Sequence, residues 1–588
     1  AAGHAADFFE FCVDTHGDRP AVESVVDQRP AWSFRAFDAY TNAVAAWALR
    51  TGLRRAESAA RPGRGHAVAL MAENAPAFLA LTLGFAKIGC AVALINTNLA
   101  GAALLHALQT ADPHAVLVTA TLSERLRDAV AASATGAAWA PSGGVHVMTF
   151  PSAAPEPAPA PALPAAWTAH PWSVFETAVA DVKQPPQRPD PALRADVQPR
   201  DPLYYIFTSG TTGASKAAKF SHRRFVGCAV TWAGPSLLRA GDGYYIALPL
   251  YHGNGGCVAV APCLLLGCRM AIRPKFSVTH FWRDVRRFHL RGAVYVGELW
   301  RYLLTRAPET DAPDAANVVD ANTTPLRVII GNGLAADCWE AVKQRWGIQH
   351  VVEHFGATEM PGDSIINYFN VPGKCGFLPP DLAARQSLRG ASGRLFAYDA
   401  DAGGLQRDAA TGLCIPVTAP DTPGEMLMFL PDGQYDGYVG APELTQRKLV
   451  IDVMEPGDQW WTSGDLLACD ARGFYTFVDR LGDTFRWKGE NVATCEVQAA
   501  CMAAAPAHVA EVNVYGVAVP HASGKAGMAA VLLRPAAPVD AALAALAAGV
   551  QTQLPAYARP LFLRLRNEPN ATTATLKFQK QPCVRAGF

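Results

Sequence analysis

"YIFTSGTTGASKAAKFSH", residues 205–222, starts as an apolar strand and continues into a loop rich in glycine and hydroxyl groups. Gly210 and Gly213 let the backbone turn tightly and bring N–H groups close to an anion. Lys216 ends the loop, and the hydroxyl groups come from Thr208, Ser209, Thr211 and Thr212. The common nucleotide-triphosphatase loop places its lysine directly after the second glycine, and this loop does not. The stretch therefore predicts a different kind of phosphate-binding loop, with a polar surface turn as the alternative.

The chain before this loop alternates short apolar runs with Ala/Leu-rich runs over residues 1–135. "HAVALMA" (66–72), "CAVALIN" and "HAVLVTA" are typical of buried strands, whereas "APAFLALTLGFAKIG" and the opening "AAGHAADFFEFC" are typical of helices. Strands that alternate with helices indicate a layered fold with a mainly parallel sheet. The fold class predicted is therefore α/β.

Two further segments define the domain organisation. Residues 151–164, "PSAAPEPAPAPALP", hold six prolines and predict an exposed insertion over about 150–200. The last hundred residues show a helix (about 496–504), the strands "VNVYGVAV" and "AGMAAVLLR", a helix (540–553) and a strand near 561–566. We expect a large body over residues 1–480 and a small α+β domain over residues 481–588.

Composition narrows the functional classes. Lys plus Arg and Asp plus Glu both number 51, so a net charge of zero gives no support for a nucleic-acid partner. The 13 cysteines form no Cys-x-x-Cys pair, which argues against a zinc site or a disulfide framework. Gly243–Cys268 has no charged residue, but its glycines and two prolines predict a buried strand, a loop and a buried helix, and not a membrane span. No signal pattern precedes Ala1, and an anchor upstream is left open.

Polar residues follow several strands in the middle of the chain. The apolar runs "GYYIALPLYHGNGG", "GAVYVGE", "LRVIIGNG" and "HVVEHFGATE" all end in glycine or polar residues, which predicts one shared site at the carboxyl ends of the strands. Thr358 can donate to a phosphate oxygen, and Glu359 can hold a Mg²⁺ ion that bridges phosphates. Asp465, at a strand end, is suited to both hydroxyls of a ribose, and Arg480 can reinforce that contact.

These motifs resemble the adenylate-forming superfamily of acyl-CoA synthetases, luciferases and peptide-synthetase adenylation domains. "YIFTSGTTGASK", "FGATE", "TSGD" and "DRLGDTFRWKGEN" follow its order and separations from about residue 30 to the end. Within it, "LPLYHGNGG", "YVGELWRYLL", "GNGL", "VDRLGDTFRWKGENVAT" and "LPAYARPLFLRL" are similar to the fatty-acid transport protein / very-long-chain acyl-CoA synthetase branch. The implied reaction uses ATP, Mg²⁺ and CoA, with an acyl-adenylate as intermediate and a small C-terminal domain that moves between the two steps.

The resemblance also implies the roles of individual residues. Thr208–Lys216 would form the pyrophosphate loop, Thr358 would contact the α-phosphate, Glu359 would hold the magnesium, and Lys577 would bridge carboxylate and α-phosphate. The residues implied at the nucleoside are Gly331, Asn332, Gly333, Phe355, Gly356, Asp465 and Arg480. His252 would border the acyl or CoA channel and Gly489 would let pantetheine pass, although a packed histidine and a plain turn glycine are the respective alternatives.

Two positions depart from the family pattern. The hinge position, usually Asp or Lys, is Gly482, which can serve a pivot by backbone freedom. The catalytic lysine stands in "TLKFQK" and not after Ser-Gly, so Lys580 competes with Lys577 for that role.

Several other side chains are ambiguous at this stage. Trp487 and Lys488 are expected to face either CoA or solvent, and His354 is expected to be structural. Phe281, Trp282 and Arg286, Arg287 and Arg291 form a basic, aromatic helix that is expected either to touch a membrane surface or to be an ordinary solvated helix.

Three functions remain open from the sequence. The first is a CoA ligase for long- or very-long-chain fatty acids, possibly coupled to uptake; the others are a fatty-acid transport protein whose uptake does not need catalysis, and a ligase for bile acids or other carboxylates. The expected partners are fatty acid, ATP, CoA and a peripheral membrane surface. The expected place is the cytoplasmic face of the endoplasmic reticulum, the peroxisome or the plasma membrane, and the chain itself is expected to be soluble. Chain-length preference and oligomeric state are not fixed by the sequence.

Overall fold

A computed structural model describes most of the chain with side chains. The residues described are 3–27, 29–53, 67–131, 141–151, 163–208, 215–305, 324–362, 364–379, 393–399, 403–431, 435–487, 490–520, 525–572 and 578–588.

The first part of the chain alternates strands with helices. Its elements are α1 (Ala5–His16), β1 (Pro20–Ser24), β2 (Trp32–Ser33), α2 (Phe34–Arg50), β3 (Ala67–Met71), α3 (Pro76–Lys87), β4 (Ala91–Leu94), α4 (Gly101–Ala111), β5 (Ala115–Thr119), α5 (Ala120–Ala131), β6 (Val145–Thr149), β7 (Trp167–Pro171), α6 (Ser173–Ala180), a 3-10 turn (Pro191–Arg194), β8 (Pro202–Thr208), β9 (Lys216–Ser221) and α7 (His222–Ser236). Strands β7-β6-β5-β3-β4-β8-β9 form one sheet, parallel except for the β8–β9 pair. Every residue of β3 is buried, as expected for a strand covered by helices on both faces.

The second part builds another mostly parallel sheet. Its elements are β10 (Gly243–Ile246), a π-helix (Asn254–Val258), α8 (Val260–Leu266), β11 (Arg269–Ile272), α9 (Phe281–Arg287), β12 (Leu290–Val296), α10 (Gly297–Thr305), β13 (Val328–Asn332), α11 (Ala336–Trp346), β14 (His350–Phe355) and β15 (Ile365–Ile366). The strand order is β15-β14-β13-β12-β10-β11-β1-β2, with antiparallel pairs only at its two edges. The parallel strands of each sheet all have their carboxyl ends at the same edge. The loops that follow these strands can therefore build a site there.

The third part is antiparallel. Its elements are β16 (Gly376–Phe377), β17 (Gly393–Phe396), β18 (Tyr398–Asp399), β19 (Gly404–Leu405), β20 (Pro423–Phe429), α12 (Pro442–Gln446), β21 (Leu449–Ile451), β22 (Gln459–Cys469), β23 (Phe474–Arg480), β24 (Phe485–Trp487) and β25 (Glu490–Val492). The order β16-β23-β22-β20-β17 forms its main sheet, and β21 also pairs with β22.

The last part has a hydrophobic core of its own. Its elements are α13 (Thr494–Ala504), β26 (Val509–Ala518), β27 (Lys525–Leu533), α14 (Val539–Gln553), β28 (Phe562–Arg566) and α15 (Gln581–Ala586). Val497, Val514, Val531 and Leu546 are fully or almost fully buried in this core, which begins at Phe485. The α/β class and the elements predicted for the tail are thus confirmed, whereas the movement of residues 481–588 as a domain stays a prediction.

Buried charges fix the N-terminal helices to each other. The ammonium of Lys87, with no exposed surface, bonds the side chains of Asp38 and Asn42 and lies 3.4 Å from Glu10. Arg194, from the Pro-rich stretch, donates to Glu10 at 2.8 Å. Because a buried charge without its partners is strongly destabilising, these pairs hold α1, α2, α3 and the 3-10 turn in one arrangement.

Part of the insertion that was predicted to be exposed is packed on the body. Residues 152–162 lie outside the described residues, but Trp167–Pro171 and Ser173–Ala180 form β7 and α6, and the ring of Trp172 is buried against Trp32 and Phe175. The aromatic side chains supply the apolar area that the prolines lack, so this stretch packs on the body.

The structure settles the interpretation of three segments. Gly243–Cys268 contains β10, the π-helix and α8, as predicted, and none of the described helices is long and apolar enough to cross a bilayer. Phe281 and Trp282 on α9 are buried, so their rings do not face a membrane surface. Trp487 faces neither CoA nor solvent, because its ring is buried in the C-terminal core, while Lys488 lies outside the described residues.

Candidate active site

A cleft of about 370 Å³ opens where the two parallel sheets meet the antiparallel sheet. Its walls come from the ends of β8, β12 and β13, from α7, from the π-helix, from the bend inside β22 and from the turns after β14 and β23. The lining residues used below are Thr208, Lys216, Arg224, Trp232, His252, Asn254, Asn332, His354, Gly356, Thr358, Glu359, Tyr438, Lys448, Ser463, Asp465, Arg480 and Gly482. Segments up to 270 residues apart in sequence therefore share one cavity of ligand-binding size.

The cleft collects most of the described residues that the sequence singled out. Among the residues implied at the nucleoside, Asn332 and Gly356 line the cleft, whereas their neighbours Gly331, Gly333 and Phe355 do not. The ring of Phe355 is buried in the core of the antiparallel sheet, with Met360 and Ile365. The loop residues Ser209, Gly210, Thr211, Thr212 and Gly213, together with Gly489 and Lys577, lie outside the described residues.

Asp465 and Arg480 face each other across neighbouring strands. They are register partners on β22 and β23, and Arg480 Nε lies 3.5 Å from Asp465 Oδ1. The turn before Asp465 is fixed because Gly464 adopts a φ of +75°, and Asp465 N donates to Ser463 Oγ at 3.0 Å. This arrangement presents a carboxylate and a guanidinium side by side at the cleft, a pair suited to the hydroxyls of a ribose.

Thr358 and Glu359 lie in the turn after β14. Arg224 Nη1 donates to the carbonyl oxygen of Thr358 at 2.6 Å, and the hydroxyl of Tyr438 donates to Glu359 Oε1 at 3.1 Å. Lys216 Nζ lies 5.6 Å from the centre of the Tyr438 ring, so the loop lysine and the carboxylate share one partner. The cleft thus combines cationic side chains with one carboxylate on the same wall.

Backbone pairing with β9 brings Tyr438 to this position. Val439 N donates to the carbonyl oxygen of Ala217, and Tyr438 forms a β-bridge with Ala218 on β9. Tyr438, Arg224 and Lys448 were missed by the sequence reasoning, because they stand outside any motif and reach the cleft only through pairing between distant segments.

A buried glutamate holds the strand end at Gly331–Gly333. Glu353 accepts from the backbone N–H of Gly333 and of Leu334 and from the hydroxyl of Tyr295. Burial raises the pKa of Glu353 to about 8. A Cβ at position 297 would lie 1.6 Å from the Gly333 carbonyl oxygen, so the start of α10 must be glycine.

The apolar side of the cleft is built around the π-helix. Asn254 Nδ2 donates to Asn332 Oδ1 at 2.8 Å, which joins the π-helix to the end of β13. The rings of Trp232 and His354 meet edge to face, with centroids 4.7 Å apart. His252 lies in the wall, as the channel role requires. π-helical turns are frequent at functional sites, and Asn254, Cys257 and Val258 of this one line the cavity.

Lys448 places a further cation in the cleft. Its Nζ donates to the carbonyl oxygens of Thr462 and Ser463 at 3.1 and 3.0 Å. Burial lowers the pKa of Lys448, and the nearby carboxylates of Glu359 and Asp465 oppose that effect.

The turn after Arg480 connects the body to the C-terminal core. Gly482 lines the cleft, and the N–H groups of Asp483 and Thr484 both donate to the carbonyl oxygen of Arg480 at 2.9 Å. The buried Asp479 accepts from Thr494 N at 2.6 Å, and Lys580 Nζ lies 3.1 Å from Asp483 and 2.5 Å from Thr494 Oγ1. Lys580 therefore braces this turn.

The donor set fits a magnesium ion shared with phosphates. Glu359 supplies a carboxylate oxygen in the cleft, and the described residues form no group of three or more His, Cys, Asp and Glu side chains that could hold a metal. Mg²⁺ typically uses one or two carboxylates together with substrate phosphates and water, so Glu359 suffices as the protein ligand.

Comparison with known proteins agrees with this geometry. The sequence pattern of AMP-binding enzymes matches residues 9–431. The chain belongs to the AMP-binding enzyme family. Its relatives in that family include human long-chain fatty acid transport protein 3, 38% identical over 89% of this chain and 70% of the relative. Mouse long-chain fatty acid transport protein 1 is 35% identical over 95% of this chain and 78% of the relative. These identities place the chain in the fatty-acid transport protein branch.

Solved structures of AMP-binding enzymes share the whole fold. The anthranilate CoA ligase AuaEII, in complex with anthranoyl-AMP, has a TM-score of 0.74 at 18% identity and covers 100% of this chain and 98% of its own. ATP-bound MatB from Rhodopseudomonas palustris has a TM-score of 0.73 at 23% identity, with 99% of both chains covered. The Mycobacterium tuberculosis fatty acyl CoA synthetase has a TM-score of 0.62 at 18% identity and covers 99% and 98%.

Proposed function

We propose that this chain joins a long- or very-long-chain fatty acid to CoA in two steps that consume ATP. In the first step the carboxylate oxygen attacks the α-phosphorus, the bond to the leaving pyrophosphate breaks, and an acyl-adenylate remains. In the second step the CoA sulfur attacks the acyl carbon, AMP leaves, and the thiol proton passes to solvent. The observation that carries the proposal is the single cleft that holds Thr208, Lys216, Thr358, Glu359, Asp465 and Arg480.

The polar half of the cleft suits the nucleotide. Asp465, beside Arg480, would accept from both ribose hydroxyls, and Thr358 would donate to the α-phosphate. Lys216, at the end of the phosphate loop, would offset the charge of the leaving pyrophosphate. These groups are fixed before substrate arrives, so catalysis would rest on positioning and charge stabilisation.

Glu359 would hold the magnesium ion. When bound, the ion neutralises charge on the phosphate oxygens of ATP. Tyr438 donates to Glu359 and so orients the carboxylate toward the cleft.

The apolar half of the cleft suits the fatty acid. Trp232, Cys257, Val258 and Val296 lie in its wall. We infer that the acid enters with its carboxylate toward Thr358 and its alkyl chain along this wall, because apolar surface is favourably removed from water there.

Pyrophosphate release over a panel of acids tests this function. We expect release with long- or very-long-chain fatty acids, with bile acids and aromatic acids as comparison substrates. Thioester should form only when CoA is added. Pyrophosphate release that needs a bile acid, and not a fatty acid, would select the alternative carboxylate ligase.

Uptake is the second candidate function, because the relatives are named long-chain fatty acid transport proteins. We propose that uptake depends on thioester formation, which removes free acid. Expression of the wild type and of Asp465→Ala in cells given a labelled fatty acid tests the link. Equal accumulation with both proteins would mean that uptake is separate from catalysis.

We further propose that the chain works at the cytoplasmic face of a membrane, where its apolar substrate is dissolved. Flotation with vesicles of neutral and anionic phospholipid tests this location. Absence of the protein from the floated fraction in both cases would contradict it.

A further inference from the structure

Lys448 is a charged side chain whose position has no motif to explain it. It follows α12 and reaches across to the bend in β22, where its ammonium donates to the carbonyl oxygens of Thr462 and Ser463. The same ammonium lies 5.2 Å from the centre of the Trp461 ring. The side chain is thereby held against one wall of the cleft that it lines.

The two carbonyl contacts leave one N–H group of the Lys448 ammonium for a ligand. An ammonium carries three protons, and the described residues accept two hydrogen bonds from it, both in the turn before Asp465. A Cβ at Gly464, the next residue of that turn, would lie 3.9 Å from Nζ. The third proton is therefore available on the side of the cleft.

The charges around Lys448 change when substrate binds. Three carboxylates act electrostatically on Lys448: those of Glu359 and Asp465, which line the cleft, and that of Glu425, which accepts from Thr462 and Gly464. The proposed function gives Asp465 to the ribose hydroxyls and Glu359 to a magnesium ion. Glu425 stays beside Lys448, but the two carboxylates in the cleft take other partners, so a further anion there is favourable for this partly buried cation. The phosphate that joins the ribose to the acyl group lies between those two partners.

We propose that Lys448 binds the α-phosphate of the nucleotide directly, as a fixed positive charge supplied by the body of the protein. This inference rests on the proposed function and deepens it. Lys448 precedes the turn at Gly482, so it stays in the cleft whatever the C-terminal part does. It would contact the same phosphate in ATP, in the acyl-adenylate and in the departing AMP.

AMP and adenosine separate this role from a purely structural one. Both ligands carry the base and the ribose, but only AMP carries the phosphate. Calorimetric titration of Lys448→Gln should show AMP binding weakened about ten-fold or more, the loss expected for one hydrogen bond to a charged group. Adenosine binding should be unchanged, because the amide of glutamine can still donate to the two carbonyl oxygens. Arg447→Gln, the neighbouring exposed cation, is the matched control and should bind both ligands like the wild type.

The alternative results are equally clear. If AMP and adenosine both lose affinity by the same factor, Lys448 acts only by supporting the turn at Asp465, and the proposal is wrong. Unchanged AMP binding in Lys448→Gln contradicts it as well. Failure of the unmodified protein to bind AMP would overturn the proposed function itself, which distinguishes the two failures.

A measurement on the unmodified chain covers the case in which Lys448→Gln does not fold. Lysine acetylation with a soluble reagent, mapped by mass spectrometry, should be slowed at Lys448 by AMP and not by adenosine. Acetylation at Lys448 that AMP leaves unchanged would contradict the proposal.

Discussion

Charged side chains on paired strands set the polarity of the cleft, and Asp465 lies inside β22 and not at a strand end as expected. Asp465 and Arg480 meet as register partners of β22 and β23, and Glu353 supports the strand end of β13 from the neighbouring strand. In each case the backbone pairing sets where the side chain lies, so these contacts are present without a ligand. Preorganised groups of this kind act on charge without the cost of reorganisation.

Asp465→Ala is expected to raise the Michaelis constant for ATP much more than that for the fatty acid. The ribose loses its acceptor for two hydroxyls, while the apolar wall at Trp232 is untouched. Steady-state kinetics with each substrate varied in turn measures both constants. Equal effects on the two would count against the ribose assignment.

Glu353 should make stability depend on pH. Burial raises its pKa to about 8 from an ordinary value of 4.5, so the folded state binds a proton that the unfolded state releases. The stabilisation is complete below pH 4.5 and is lost as the pH rises through 8. Glu353→Gln, which stays neutral and can still accept from Gly333 and Leu334, should show a shallower decline in the free energy of unfolding.

The difference in slope between wild type and Glu353→Gln should approach about 1.4 kcal/mol per pH unit between pH 5 and 8. Denaturant unfolding at a series of pH values measures it. Parallel curves would mean that Glu353 titrates normally in the folded protein.

Lys577 is predicted to act in adenylation and Lys580 is not. Two anions approach each other in that step, and a cation between them lowers the barrier most in the transition state. Lys577→Ala should therefore lose ~10²-fold or more in acid-dependent pyrophosphate exchange. Lys580→Ala should keep most of it, because Lys580 is bound to Asp483 and Thr494. Loss in Lys580→Ala alone would mean that the two lysines have been exchanged in this assignment.

At the scale of the element, the turn after β23 joins two separately packed parts. Asp479 ties the end of β23 to the start of α13 through Thr494, while Lys580 reaches back to Asp483. Gly482 lies between these contacts and does not use a positive φ here. A pivot at this position would have to change its backbone angles while both anchors hold.

Gly482→Pro is expected to slow thioester formation more than adenylation, since proline fixes φ at about −65°. Gly482→Ala, which restricts the backbone less, is the control. Single-turnover rates of the two half-reactions, the second started from synthetic acyl-adenylate, give the comparison. An equal decrease in both rates would mean that Gly482 is not the pivot.

The helices and strands were more predictable from the sequence than the set of residues that line the cleft. The apolar run at residues 67–71 is a buried strand, because local pattern and burial agree there. The strand Phe562–Arg566 forms where it was expected, but it leaves Leu563 and Leu565 43% exposed. Lys448 and Tyr438 were missed, since they reach the cleft through pairing of β21 with β22 and of residue 438 with β9. Phe355 was expected beside the adenine because the family resemblance implied it, yet its ring is buried with Met360. Such placements depend on contacts between distant segments, which periodicity does not contain.

At the scale of the whole molecule, residues from three sheets line the cleft. The C-terminal core follows the turn after β23 and packs separately. Motifs that are far apart in sequence therefore become one site only when the body is fully folded. This architecture suits an enzyme whose body holds the nucleotide while the C-terminal part changes which of its groups face the nucleotide.

Trapping of the intermediate tests the central claim most directly. The protein is mixed with ATP, Mg²⁺ and a long-chain fatty acid without CoA, quenched in acid and examined by mass spectrometry. We predict acyl-adenylate in an amount close to that of the enzyme, its conversion to acyl-CoA and AMP when CoA is added, and its strong reduction in Asp465→Ala. ATP cleaved without acyl-adenylate, or an adenylate that CoA does not discharge, would contradict the account.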